Sequence, residues 1–171
     1  MNASQAVEAE IQDGISTTID IALASEGPKS WVRRTATFQG IREPVVFGTH
    51  GPFLEHYGVE PGEYPSEATT NEYLAAALAS CMTGAFTNAL EARGVALNSE
   101  TLKAVAEVNI GPAADDGSWI VRSVALGLTA TVPEEKRKAA ERAHEVYRKT
   151  CWVSQTFRGS RCEVSSTLQF V

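Results

Sequence analysis

Three cysteines have the greatest capacity for covalent chemistry in this sequence: Cys81, Cys151 and Cys162. A cysteine thiolate attacks electrophiles such as peroxides, and the oxidised sulfur can then condense with a second thiol to form a disulfide. The sequence contains no CxxC pair, so the usual signatures of a zinc ribbon and of a thioredoxin-like site are missing. Each cysteine can therefore be a buried packing residue, a redox group or a metal ligand.

Cys81 lies in the middle of a long predicted helix that extends from about Asn71 to Arg93. Threonine and asparagine side chains can cap its start, alanine and leucine dominate its interior, and Gly94 stops it. The spacing predicts one buried stripe made of Leu74, Ala77, Leu78, Cys81 and Ala85. On this basis alone Cys81 is a small packing residue. Because it lies well past the first turn, the helix dipole cannot activate it, and a reactive thiolate needs a separate cation or hydrogen-bond donor.

Cys151 follows a second predicted helix, Glu135 to Thr150, whose apolar stripe and charged opposite face are typical of an amphipathic surface helix. This position predicts a partly accessible thiol. A disulfide with Cys81 requires Cα atoms within about 7 Å, which the spacing leaves open. Cys162 begins an apparent last strand, where inert packing is the expected role.

The remaining elements are predicted strands, which alternate apolar and polar residues or are rich in β-branched residues. They cover residues 16–24, 31–38, 45–47, 102–110, 119–132 and 162–171. The order βββ, α, ββ, α, β predicts an α+β fold with antiparallel hairpins, and not a doubly wound sheet. Residues 1–14 are predicted to be a polar tail and residues 15–171 a single domain. The connection over residues 48–69, rich in glycine and proline, is long enough to line a site.

The composition restricts the partners of the protein. A net charge of −6 and a pI near 5.1 argue against nucleic acids and anionic membranes, which need a basic face. The N-terminus lacks the basic and apolar regions of a signal peptide, and the weakly polar stretch from Tyr73 to Phe86 is too short to cross a bilayer. We therefore expect a cytoplasmic protein without a membrane span.

Metal chemistry and nucleotide chemistry have weak signals. His50 and His56, with Glu55 between them, do not offer three ligands with tetrahedral spacing, so they are expected to be loop histidines. The sequence contains no GxGxxG, P-loop, GxSxG or HExxH motif, which removes the commonest nucleotide, hydrolase and metalloprotease functions. No cofactor and no metal is predicted.

Two segments resemble a known family. Glu72-Tyr-Leu-Ala-Ala-Ala-Leu-Ala-Ser-Cys81-Met-Thr83, in a helix ending at Ala92-Arg93-Gly94-Val95, resembles the central helix of the OsmC/Ohr family. Cys151-Trp-Val-Ser154, just after an amphipathic helix, resembles that family's second-cysteine segment. The resemblance implies an OsmC/Ohr-like α+β fold with a long central helix and a second helix. It also implies an intertwined homodimer with its sites at the subunit boundary.

The resemblance further implies an antioxidant enzyme of oxidative stress, a thiol peroxidase that reduces organic hydroperoxides to alcohols. In that role Cys81 is the peroxidatic cysteine and Cys151 the resolving one, and an external dithiol or lipoyl-type reductant completes the cycle. Glu72 and an arginine would organise the Cys81 thiolate, with the glutamate holding the guanidinium in a charge-assisted fork. Arg42 is the first candidate for that arginine and Arg34 the rival.

The sequence also differs from the family's usual pattern near both cysteines. Thr70 and Asn71 stand where many members have a proline and an acidic residue, and Trp152 stands where a proline usually follows the second cysteine. Trp152 could line an apolar substrate pocket or fill the core. An alternative function is therefore a noncatalytic small-molecule-binding or stress-associated protein that keeps the fold but has lost the groups that activate the thiolate.

Overall fold

The computed structural model describes residues 17–24 and 29–171. The predicted polar tail, residues 1–14, lies outside the described residues. The chain divides into two compact units, one ending at Thr69 and the other formed by Thr70–Val171. The α+β fold class predicted from the sequence is confirmed. The single domain starting at residue 15 stays a prediction.

The first unit contains a three-stranded antiparallel sheet in the order β1-β2-β3. Its strands are β1 (Ile19–Leu23), β2 (Arg34–Phe38) and β3 (Val45–Phe47), and a 3-10 turn, Ser30–Val32, precedes β2. Hence the predicted second strand, residues 31–38, begins later than expected. The rest of the predicted N-terminal meander is confirmed. Consecutive strands can pair in antiparallel fashion across short connections, so local sequence is enough to predict such a sheet.

The long connection after β3, residues 48–69, is not structureless. It contains a short helix, α1 (Phe53–Tyr57), with Pro52 at its N-cap and Gly58 at its C-cap. Pro52 has a φ of −63°, which fits helix entry, and Gly58 has a φ of 61°, which ends the helix in the left-handed region. A parallel bridge between Thr49 and Ser66 closes the connection into a compact loop.

The second unit contains the long helix α2 (Thr70–Glu91), which begins and ends within two residues of the predicted bounds. A sheet in the order β4-β5-β6 is built from β4 (Leu102–Pro112), β5 (Trp119–Ala130) and β6 (Glu163–Phe170). Helix α3 (Glu134–Val146), a 3-10 turn (Tyr147–Lys149) and a short helix α4 (Trp152–Thr156) connect β5 to β6.

The sequence predicted antiparallel strands. This prediction is confirmed for the β4–β5 hairpin and is wrong for the last strand, because β6 is parallel to β5. The helices between β5 and β6 explain the difference. A parallel pair needs a crossover of a dozen or more residues, and α3 with α4 provides it. This crossover also determines where Cys151 lies, because it carries that residue back over α2.

The buried face of α2 differs from the predicted stripe. Leu74 is 43% exposed and Ala77 is exposed, whereas Leu78 is fully buried. The buried stripe consists of Ala75, Leu78, Met82, Phe86 and Leu90. Because the middle of α2 is weakly polar all round, spacing could not choose between neighbouring stripes. Packing with the sheet selected the stripe with the larger side chains, facing Val124, Leu126 and Leu128 of β5.

Helix α2 is also the one helix among the described residues with the length and composition to cross a membrane. One stripe of α2 nevertheless forms the hydrophobic core with β5. Core helices of soluble proteins meet the same test of length and composition, so this is weak evidence for a membrane span.

Candidate active site

The structure brings together two of the predicted site residues, Cys81 and Cys151. Their Sγ atoms are 3.0 Å apart although 70 residues separate them in sequence, and both cysteines are free. Cys81 is partly buried on α2, and Cys151 is fully buried. The predicted partial accessibility of Cys151 is thus wrong. Its backbone is extended after the 3-10 turn, so the side chain turns inward against α2 and not toward solvent.

Cys151 also begins a helix. It is the N-cap residue of α4, and its Sγ accepts a hydrogen bond from the backbone N–H of Ser154 at 3.4 Å. A side-chain acceptor at this position satisfies one of the unpaired N–H groups of the first helical turn. The contact therefore fixes the Cys151 sulfur in place before any reaction with Cys81.

The thiol of Cys151 is held in its protonated form. Burial, the larger cause, and the hydrogen bond with Cys81 together raise the pKa of Cys151 from its ordinary value of 9.0 to about 11, while the Ser154 N–H opposes the rise. At neutral pH Cys151 is therefore an S–H group that donates to the Cys81 sulfur. Such a donor stabilises negative charge on its partner. Cys151 thus supplies one hydrogen-bond donor of the kind that a reactive Cys81 requires.

The raised pKa of Cys151 predicts a loss of stability in alkaline solution. Its stabilising contribution is complete below the ordinary value of 9.0 and is lost as the pH rises toward about 11, where the buried thiol ionises. We expect the free energy of unfolding to fall more steeply between these pH values in the parent than in Cys151→Ala, in urea titrations under reducing conditions.

The comparison uses the pH slope, because the alanine also removes packing at every pH. Burial, which is present in both proteins, also raises the pKa of Tyr147 and Cys162. The Cys151 charge is the last and smallest cause for Tyr147, so that part of the Tyr147 shift belongs to the difference between the two slopes. Identical slopes for parent and variant would contradict the assignment of this titration to Cys151.

Glu72 lies in the first turn of α2 and does not touch the Cys81 sulfur. The two residues are nine positions apart on one continuous helix, which corresponds to roughly 14 Å along its axis. Arg42 is exposed, between β2 and β3 of the first unit. Arg34 is partly buried in β2 and donates to the carbonyl of Trp31. The roles of Glu72 and of both arginines stay predictions.

Sequence reasoning missed an arginine–glutamate fork within the first unit. Arg33 donates from Nε to Glu67 Oε2 at 2.7 Å and from Nη2 to Glu67 Oε1 at 2.6 Å. Both side chains are largely buried, and the Glu67 hydrogen bond is the main cause that raises the pKa of Arg33. Gly48 makes room for this carboxylate, because a Cβ there would lie 2.8 Å from Glu67 atoms. No local pattern signals a pair 34 residues apart.

His50 and His56 of the first unit lie against aromatic rings. Among the described residues, no group of three histidine, cysteine, aspartate or glutamate side chains could hold a metal ion. His50 has its ring centroid 5.9 Å from that of Phe53, and the His56 ring lies 5.0 Å from that of Tyr57, each edge-on. His56 belongs to α1, so only His50 is a loop histidine as predicted.

Comparison with protein families matches the OsmC-like protein family over residues 63–167, which is more than half of the chain and includes both cysteines of the pair. The chain belongs to the OsmC-like protein family. The resemblance inferred from the sequence is thereby confirmed. Comparison with curated protein sequences gives no significant match.

Solved structures of this family share the fold. The OsmC-like protein of Mycoplasma pneumoniae has a TM-score of 0.66 at 15% identity, covering 92% of this chain and 99% of that chain. The organic hydroperoxide resistance protein OhrB of Bacillus subtilis has a TM-score of 0.64 at 16% identity, with 91% and 98% covered. The organic hydroperoxide resistance protein OsmC of Legionella pneumophila gives the same four values. At these identities the likeness extends to the fold alone.

Proposed function

We propose that this protein is a cysteine-based peroxidase that reduces organic hydroperoxides to alcohols. The observation that carries the proposal is the 3.0 Å separation of the Cys81 and Cys151 Sγ atoms. A sulfenic acid formed on either sulfur would already be in contact with the thiol that must condense with it. Family membership and the hydroperoxide resistance proteins among its structural neighbours support the same activity.

Cys81 is the peroxidatic residue, because it is the more accessible of the two sulfurs. Its thiolate attacks one peroxide oxygen, the O–O bond breaks, and the alkoxide that leaves takes up a proton to become the alcohol. Cys151 then attacks the sulfenic sulfur of Cys81. The S–S bond forms, the S–O bond breaks, and the hydroxyl leaves as water with the proton of Cys151.

The resulting disulfide is reduced by an external dithiol, of lipoyl type or otherwise. The dithiol supplies two electrons and two protons through a mixed disulfide and becomes a disulfide itself. In this proposal the cycle uses the two cysteine sulfurs and the external dithiol, and no metal or prosthetic group takes part.

Trp152 supports an organic hydroperoxide as the preferred substrate over hydrogen peroxide. This side chain directly follows Cys151 and is 76% exposed, so it does not fill the core of the chain. An exposed indole on the residue next to Cys151 offers a large apolar surface to a substrate. We propose that it contacts the organic group of the hydroperoxide.

In this proposal the protein is a homodimer. It acts in the cytoplasm. Strand β1 exposes Ile19, Ile21 and Leu23 along one face, and α2 exposes Leu74. A row of exposed apolar side chains such as that of β1 is uncommon in a monomer, and a second copy would cover it. The net charge of −6 supports small-molecule and protein partners over nucleic acid or anionic membrane.

The test is peptide mapping by mass spectrometry after one equivalent of cumene hydroperoxide. We expect a disulfide between Cys81 and Cys151, formed faster than with one equivalent of hydrogen peroxide, while Cys162 stays reduced and serves as the internal control. Unmodified Cys81 after both oxidants would instead favour the noncatalytic alternative. Equal rates with the two oxidants would reject the preference for organic substrates.

A further inference from the structure

The second unit contains a cavity of about 480 Å³ that the proposed reaction does not use. It lies among the C-terminal end of α3, the 3-10 turn, α4 and the residues around the start of β6. Its volume falls within the range of about 300 to 1,000 Å³ that small-molecule sites occupy. The cavity is large enough for a small organic ligand.

The cavity is positively charged in an otherwise acidic chain. Arg148, Lys149 and Arg158 line it, against one carboxylate from Glu145. None of these three cations forms an ion pair with the residues of the 17–24 and 29–171 ranges. A local excess of cations in a chain of net charge −6 creates a potential that attracts anions.

The backbone around these cations is fixed by a side-chain contact. Gln155 of α4 donates from Nε2 to the carbonyl of Arg148 at 2.7 Å, which joins the 3-10 turn to α4. This contact holds the turn that carries Arg148 and Lys149 against α4, the helix that precedes Arg158. The backbone that carries these cations is therefore positioned before a ligand binds, which lowers the conformational entropy lost on binding.

The cavity also has an apolar part. Phe157, Cys162 and Val164 line it and are each partly buried. Burial raises the pKa of Cys162, so its sulfur is a neutral thiol at neutral pH and behaves as a small apolar group. A ligand that satisfies both parts carries a negative group and a short apolar segment.

We propose that this cavity binds a small organic carboxylate, with its carboxylate among Arg148, Lys149 and Arg158 and its aliphatic chain against Phe157 and Val164. Guanidinium groups recognise carboxylates through paired charge-assisted hydrogen bonds. Ser154 lines the cavity, and its backbone N–H donates to Cys151. The carboxylate site and the sulfur pair therefore share α4, although ligand binding does not depend on the proposed peroxidase activity.

The test uses octanoate as the probe and octanamide as its neutral counterpart, titrated into the full-length protein by calorimetry. We expect saturable binding of octanoate and at least about tenfold weaker binding of octanamide, because the amide forfeits the charge-assisted contacts. Octanoate should also slow alkylation of Cys162 by iodoacetamide, followed by peptide mapping. Absence of saturable octanoate binding, equal binding of octanamide, or an unprotected Cys162 would each overturn the proposal.

Variants of single cationic residues test whether octanoate binds in this cavity. Arg158→Gln and Lys149→Gln should each weaken octanoate binding several-fold, whereas Lys138→Gln removes an exposed charge of α3 that does not line the cavity and should leave binding unchanged. An equal loss in Lys138→Gln would show a general effect of net charge and would reject a specific site. Peroxidase assays are not needed, so failure here is distinct from failure of the proposed function.

Discussion

Cys81→Ser is expected to lower the rate of cumene hydroperoxide reduction by more than about a hundredfold, because the nucleophile of the reaction is lost. A thiolate attacks peroxides, whereas a serine hydroxyl is not ionised at neutral pH and cannot replace it. Serine is nearly isosteric with cysteine, and the position lies in the interior of α2, so we expect the fold to persist. Consumption of cumene hydroperoxide with dithiothreitol as reductant measures the effect.

Cys162→Ser is the matched control for this prediction. Cys162 is also partly buried but lies one residue before β6, outside the sulfur pair, and its replacement should leave the rate unchanged. Circular dichroism of both variants establishes that the fold is retained. If Cys81→Ser reduces the hydroperoxide as fast as the parent, the proposed mechanism is wrong.

Cys151→Ser should permit one oxidation of Cys81 and then stall. Serine can still donate a hydrogen bond toward Cys81, so the first step should stay within about tenfold of the parent rate. The sulfenic acid then lacks the thiol that lies 3.0 Å away in the parent. Rapid mixing with one equivalent of hydroperoxide, followed by mass spectrometry, should find one added oxygen on Cys81 and no disulfide.

Two outcomes would contradict a resolving role for Cys151. Undiminished steady-state turnover in Cys151→Ser would mean that the external reductant acts directly on the oxidised Cys81. A disulfide between Cys81 and Cys162 in this variant would mean that the third cysteine can replace Cys151. The parent protein, treated in parallel, controls for overoxidation.

The fold was largely predictable because most of its elements are specified by local sequence. The bounds of β3 match the prediction, and α2 is displaced by no more than two residues at either end. Gly94 stops the helix as expected, with a φ of 70° and its N–H bonded to the Glu91 carbonyl at 2.9 Å. Glycine adopts this left-handed conformation without steric cost, which makes such a stop readable from sequence.

Helix α1 and the parallel pairing of β6 were not predictable in the same way. The short helix over Phe53–Tyr57 has only five residues, too few for a periodic signal, and it is supported by contacts outside the helix such as that between the Trp31 and Tyr57 rings. The direction of β6 depends on where the α3–α4 crossover returns the chain, which no single segment encodes.

For the candidate site, the sequence by itself determined which thiols exist and that Cys81 lies within a long helix ending at Gly94. Helix formation and helix termination depend on residues that are close in sequence, so the sequence is enough to predict them. Only the tertiary structure decided that Cys151 is buried with its sulfur 3.0 Å from that of Cys81, and that Arg33 pairs with Glu67. These contacts join residues 70 and 34 positions apart, and packing of whole elements fixes them.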